Sequence, residues 1–294
     1  MYSEDLEEDL DLRAVLDKYV IHWRWFVLAV GVSLFLAILY LRYTTPQYEA
    51  SSTILVKDEK KGGMLSELSA FADMGLGGGM KNNVDNEIEI LKSRSLVENV
   101  VKKLDLNIAL FTHGDIVDAE IFEKTPIRIN FINKTIDFNE AKIVLSFLEL
   151  TKDSFSLIDE SNAETAKLFV GNKNEFHYGE LIKTRYGYLV ISKSNVKNFK
   201  YRKGDKRLIV KVTPFDDVVE GFIKKLTVTS LSKTSSVVDL SIVDPVKEKG
   251  ELFLDNLVQI YNENAVADKN YISETTSRFI SNRLKLITQE LEGV

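Results

Sequence analysis

Trp25 to Leu41 reads WFVLAVGVSLFLAILYL, seventeen residues without a charge, bracketed by Arg24 and Arg42. A helix satisfies every backbone N–H and C=O within one segment, which is what a bilayer interior demands. Seventeen residues rise ~26 Å, slightly short of a ~30 Å hydrocarbon layer. Arg24 and Arg42 can extend their stems to the headgroups on either side. Trp23, Trp25, Tyr40 and Tyr43 stand at the two ends, where amphipathic rings favour the interface. Three other readings compete with a membrane span. A cleaved signal peptide needs a basic lead-in and a small-residue cleavage site, whereas the lead-in is SEDLEEDLDL and the sequel RYTTPQYEA. A buried core helix would be shorter or show a polar stripe, and an interfacial helix needs a charged face. None of these features is present, and a transmembrane helix over 23–43 is expected. Arg13, Lys18 and Arg24 precede the segment, and Arg42 is the only cation after it until Lys57. The positive-inside rule therefore places the N-terminus in the cytoplasm and the bulk of the chain outside.

The chain has 294 residues, of which 45% are hydrophobic and 28% charged. Without the apolar segment and its lead-in, roughly 250 residues remain for one large domain or two small ones. A net charge of −6 argues against a nucleic-acid partner, which calls for a basic face. There is no cysteine, so no disulfide, thiolate nucleophile or cysteine-ligated zinc can form.

Residues 1–22 carry Leu6, Leu10, Leu12, Val15, Leu16 and Tyr19 at mostly helical spacing, which predicts a short cytoplasmic helix. After Pro46, which breaks helix, YEASSTILV (48–56) reads as a strand. Lys57 to Asn83 is glycine-rich and reads as a long mobile loop. VDNEIEILKSRSLVENVVKKLDL divides at Ser93 to Ser95. Its second half is a helix with Ser95 as cap, Glu98 completing a capping box, and Val97, Val100, Val101 and Leu104 as the apolar stripe.

From Pro126 the period becomes two. PIRINF puts Ile127, Ile129 and Phe131 on one face, and FLELTKDSFSLI turns at Lys152-Asp153 between two strands. YGYLVIS, RLIVKV, LTVTSL and VVDLSIV are further strands, the last with Val238, Leu240 and Ile242 inward. PFDDVVEGFIKKL is a helix with Pro214 near its start. Asp244 as N-cap and Pro245 as first helical residue open a final helix with Phe253, Leu257, Ile260 and Tyr261 as its stripe. Further on, Ile280, Leu284, Ile287 and Leu291 have the spacing of a coiled-coil seam. Either Gly293 caps a helix packed on its own body, or the helix runs beyond this chain.

Nothing in the sequence points to catalysis. GLGGGMKNN (75–83) lacks the Gly-Lys-Ser/Thr ending and the leading strand of a phosphate cradle. His22, His113 and His177 have no second ligand at metal spacing. Asp216-Asp217 lie at a helix start, where carboxylates favour the dipole. No Gly-x-Ser-x-Gly, His-Glu-x-x-His or kinase signature occurs. No catalytic, cofactor-binding or metal-binding residue is assigned, and no cofactor is expected.

The order of these pieces resembles a known family. A short helix, one span and then PQYEASSTILV look like the start of the Wzz/Wzc-type polysaccharide co-polymerases, the chain-length determinant family. EIEILKSRSLVENVVKKLDL resembles the helix after that family's first strand. VVDLSIVDPVKEKGELFLDNLVQIYNENAVADKN resembles its strand, Asp-Pro and long helix, and FISNRLKLITQEL the start of its helical arm. The resemblance implies an α+β fold: an N-terminal transmembrane helix, then a periplasmic mixed α/β domain with a long C-terminal helix. It divides the chain into a cytoplasmic helix (1–22), the transmembrane helix (23–43), the first strand, Gly-rich loop and helices of a periplasmic domain (44–109), a β-rich insertion (110–205), and the rest of that domain with the start of the arm (206–294). It implies a bacterial inner-membrane protein, single-pass in this chain, that assembles into a homo-oligomeric ring. Its partners would be the membrane, a polysaccharide polymerase or outer-membrane exporter, and the polysaccharide itself. Such a ring controls the length or export of capsule, exopolysaccharide or O-antigen. The sequence departs from the family pattern in lacking a second span and the Walker motifs and tyrosine tail of the fused kinase. It reads as part of a longer protein. The alternatives are the membrane and periplasmic half of a tyrosine autokinase, or a periplasmic adaptor of a transport system, which would show a lipoyl-like repeat that is not seen here.

Overall fold

The computed structural model describes residues 21–56, 79–113, 117–161, 168–170, 173–196, 199, 207–232 and 236–292. The helix expected over 1–22 lies outside them except for its last two residues, as does most of the glycine-rich stretch. The chain forms two compact units, Met1–Pro46 and Gln47–Val294. The first contains helix α1 (Trp23–Tyr43), in which no side chain is buried. Its 21 residues rise ~31 Å, so the four interfacial aromatics and the two arginines belong to the helix itself.

The second unit is the expected α+β body. Its first layer is an antiparallel sheet in the order β1-β12-β11, made of β1 (Tyr48–Leu55), β11 (Leu226–Ser230) and β12 (Val237–Asp244). Val238, Leu240 and Ile242 are fully buried, so the alternation read from VVDLSIV sets the sheet's inner face. Helices α2 (Gly79–Leu91), α3 (Arg94–Lys103), α4 (Phe215–Lys225) and the start of α5 (Lys247–Glu292) share one core with that face. Phe222 of α4 and Phe253 of α5 stack there, with centroids 4.5 Å apart. The Tyr261 hydroxyl donates to Glu87 Oε2 at 2.7 Å and ties α5 to α2.

Three local readings are corrected. The cap of α3 is Ser93, not Ser95: Ser93 is extended, and its Oγ accepts the Leu96 N–H. Glu98 consequently sits two residues deeper and pairs with Arg94 one turn back, at 2.7 Å. Residues 79–83 are not loop but the first turns of α2. The long helix begins at Lys247 rather than at Pro245, because Asp244 is still in the ladder opposite Tyr48. The first helical bond runs from Gly250 N to Val246 O. Asp244 nonetheless caps from outside the helix, with Oδ1 accepting the Val246 N–H at 3.0 Å.

Between α3 and α4 the chain builds a second core under two further antiparallel sheets. One has the order β3-β2-β10-β5-β6-β7, the other β4-β9-β8. The strands are β2 (Ile108–Thr112), β3 (Ala119–Ile121), β4 (Ile127–Ile132), β5 (Ile143–Glu149), β6 (Ser154–Asp159), β7 (Glu175–His177), β8 (Ile182–Thr184), β9 (Gly187–Lys193) and β10 (Arg207–Val212). The Lys152-Asp153 turn falls between β5 and β6 as read. Phe155 is fully buried, with Phe147 at 5.1 Å and Tyr178 at 5.0 Å between centroids. Gly187 opens β9 with φ +124°, and a Cβ there would lie 2.6 Å from the Asn133 carbonyl oxygen. Only glycine lets the β8–β9 turn pass under the end of β4.

Candidate functional site

Helix α1 is 21 residues long and apolar enough to cross a membrane. The structure gathers the remaining chemistry into a chain of charges at the root of α5. Asp244 ends β12 with its side chain 1% exposed. Its Oδ2 accepts from Lys225 Nζ at 2.9 Å, and its Oδ1 lies 3.2 Å from Lys249 Nζ. Lys249, 11% exposed, also grips both carboxylate oxygens of Glu120, at 2.8 and 2.7 Å. Glu120 belongs to β3 of the second core, so four alternating charges fasten the two halves of the body at the first turn of the long helix. A buried charge is tolerable only when paired and hydrogen-bonded, and each carboxylate here has at least one ammonium. Sequence reading found Asp244 as a cap but not its partners. Glu120 and Lys249 stand 129 positions apart, and only the fold brings them together.

The residues weighed for chemistry do not converge. The His22 carbonyl accepts from Trp25 N at the start of α1. His113 Nδ1 faces Asp118 at 3.2 Å, and His177 Nδ1 faces Glu180 at 3.8 Å. Asp216 sits in the first turn of α4 and pairs with Arg94 of α3 at 2.7 Å. Residues 75–78 of the glycine-rich run lie outside the described residues, and Gly79 onward forms α2. Among the described residues no group of three or more His, Asp or Glu could hold a metal ion.

One turn shows a perturbed acid. The Lys173 ammonium bonds the Glu180 carboxylate, the His177 N–H donates to it, and together they hold its pKa below the usual glutamate range. A lowered folded-state pKa stabilises the fold fully above the unfolded value of about 4.3, and that contribution is lost as pH falls through the lowered value. Glu180→Gln is expected to cost about 0.2–1 kcal/mol at neutral pH, as for other exposed pairs. Urea titrations of both proteins should converge once the wild-type carboxylate is protonated. A constant difference down to strongly acid pH would contradict this role.

Beyond Tyr261, α5 leaves its body. The described side chains from Val266 onward are exposed, including Phe279 at 69% and Leu284 at 59%. The described part of the Ile280-Leu284-Ile287 seam is therefore not covered by this chain. An apolar helix, a strand, two helices and, after the strands of the second core, a strand running through Asp-Pro into a long helix form one ordered set.

Residues 8–104 match the Wzz family, chain length determinant protein. The match closes at Leu104, the C-cap of α3, just where the second core begins. It bears out the resemblance read from PQYEASSTILV and EIEILKSRSLVENVVKKLDL. The Wzz domain is a regulator of chain length and not an enzyme. The chain is also similar to the tyrosine-protein kinase ptk of Acinetobacter johnsonii, at 20% identity over 307 aligned residues. That alignment takes in 99% of this chain and 40% of the relative's length. The kinase named for that relative is thus a property of a protein more than twice as long.

Proposed function

We propose that this chain is the membrane-anchored, non-catalytic part of a polysaccharide co-polymerase of the bacterial inner membrane. Residues 1–22 are cytoplasmic and 23–43 cross the bilayer once. Residues 44–109 and 206–294 form one periplasmic base, into which 110–205 are inserted. Copies associate in a homo-oligomeric ring, and the ring sets how long a growing capsular, exopolysaccharide or O-antigen chain stays engaged with its polymerase or exporter. The observation that carries this reading is the Wzz match running from the lead-in of α1 through α3. The uncovered apolar positions of α5 support self-association, because an exposed a/d seam has nothing to bury against except a second helix. The separate hydrophobic clusters of the body support the placing of the insertion.

The test joins two measurements: the mass of the detergent-solubilised chain, and the surface-glycan length profile of a deletion strain. A multimer together with an altered profile is the expected result. An unchanged profile refutes the reading. The ptk relative favours a second version, in which the intact protein continues into a tyrosine autokinase. A Walker A motif in the downstream reading frame, with phosphotyrosine on the product, distinguishes it.

A further inference from the structure

We propose that the cleft between α3, the 3-10 turn Ile136–Glu140 and the start of α4 is a saccharide-binding site, taking one sugar ring through the amides of Asn99, Asn107 and Asn139. The proposal deepens the chain-length reading by naming where this chain meets a glycan. The cleft measures about 290 Å³, near the lower end of the ~300–1,000 Å³ of small-molecule sites, which suits one ring rather than a large ligand.

Asn107 is the central observation. The residue is only 6% exposed, and its carbonyl accepts the Thr213 N–H at 2.9 Å. It lines the cleft, and no buried side-chain nitrogen or oxygen among the described residues is without a partner, so an amide with no protein bond there faces the solvent of the cleft. An amide that meets water in the cleft can exchange that water for the hydroxyls of a ligand. Asn99 of α3 and Asn139 of the 3-10 turn add two more amide residues to the lining.

The charges at the site largely cancel. Lys134 Nζ lies 3.1 Å from Asp105 Oδ1, Glu98 is engaged by Arg94, and Lys102 is the remaining cation of the lining. A site built for phosphate would carry uncompensated cations or converging amide N–H groups. Amides both donate and accept, as sugar hydroxyls do. The half-buried Phe215 ring adds apolar surface for the C–H face of a pyranose. Asp105 (φ 48°) and Asn133 (φ 50°), the two non-glycine residues with positive φ among those described, lie in the cleft wall and beside Lys134. Such backbone is concentrated at ligand sites.

The test uses the full chain in detergent micelles with glucose, galactose, mannose and N-acetylglucosamine at millimolar concentration. Saturation-transfer NMR and calorimetry read the binding. Saturable binding of at least one sugar is expected, weakened at least tenfold by Asn107→Leu. Asn99→Ala and Asn139→Ala, both at exposed positions, provide variants that leave the core intact, and each should weaken binding severalfold at unchanged melting temperature. No saturable binding by any of the four sugars overturns the proposal, as does binding that all three variants leave unchanged. Binding of inorganic phosphate or N-acetylglycinamide in place of sugars also overturns it, by making the cleft an anion or peptide site. Sugar binding in vitro with an unchanged glycan profile in the deletion strain would uphold the site and refute the co-polymerase reading. An altered profile with no sugar binding would do the reverse.

Discussion

Asp244→Ala is expected to remove about 1–3 kcal/mol of stability, the cost of leaving buried donors without their acceptor. The carboxylate serves three donors at once: Lys225, Lys249 and the Val246 N–H. Lys225 is 42% exposed and can turn to water. Lys249 cannot, and after the substitution it keeps only Glu120. The N–H of Val246 also loses its acceptor at the start of α5. The check is urea denaturation of the full chain in micelles, followed by far-ultraviolet circular dichroism. A loss below about 1 kcal/mol would mean that water reaches this cluster and that the charges are screened. A cycle between Glu120→Leu and Lys249→Met sharpens the test. Removing both partners should cost less than the two single losses added together, because neither charge is then left buried alone.

Phe155→Ala is expected to lower stability by about 3–5 kcal/mol, the usual range for a phenylalanine deleted from a packed core. Phe155 is fully buried in β6, and Phe147, Phe176 and Tyr178 stand around it at 5.1, 6.2 and 5.0 Å between centroids. The same titration carries a second expectation. If the Lys249–Glu120 contact couples the two cores, the variant should shift one cooperative transition; two separated transitions would show that the cores melt independently. A loss under about 1.5 kcal/mol would show that the aromatic cluster collapses into the gap.

The elements that were legible from sequence are those in which a short-range period carries the packing. Val238, Leu240 and Ile242 alternate with polar residues and are buried; Val97, Val100 and Val101 recur at helical spacing and are buried as well. Where the signal was ambiguous, the reading slipped by two residues. Ser93 and Ser95 are both plausible caps, and only the backbone shows Ser93 extended. The first turns of α2 were hidden by glycines, whose weak helix propensity is overridden by context. Three-residue strands such as β3 are too short for any periodicity to register. The charge chain and the cleft were beyond local reading for a different reason. Glu120 finds Lys249, and Asn107 lies near Asn99, Asn139 and Phe215, only after strands distant in sequence have paired. No window of neighbouring residues contains those partners.

Helix α5 has a mechanical consequence. It has 46 residues, about 69 Å at the ideal rise, and among the described residues its buried apolar side chains, Phe253, Leu254, Leu257 and Ile260, lie in its first four turns. The portion beyond Tyr261 is ~47 Å long by the same rise. A stiff rod held at one end is a lever: tilting its socket by ten degrees sweeps the tip through roughly 8 Å, by the geometry of a rod of that length. The Asp244–Lys249–Glu120 bolt sits at the fulcrum, so a displacement of β3 too small to disturb either core would be magnified severalfold at the far end of the helix.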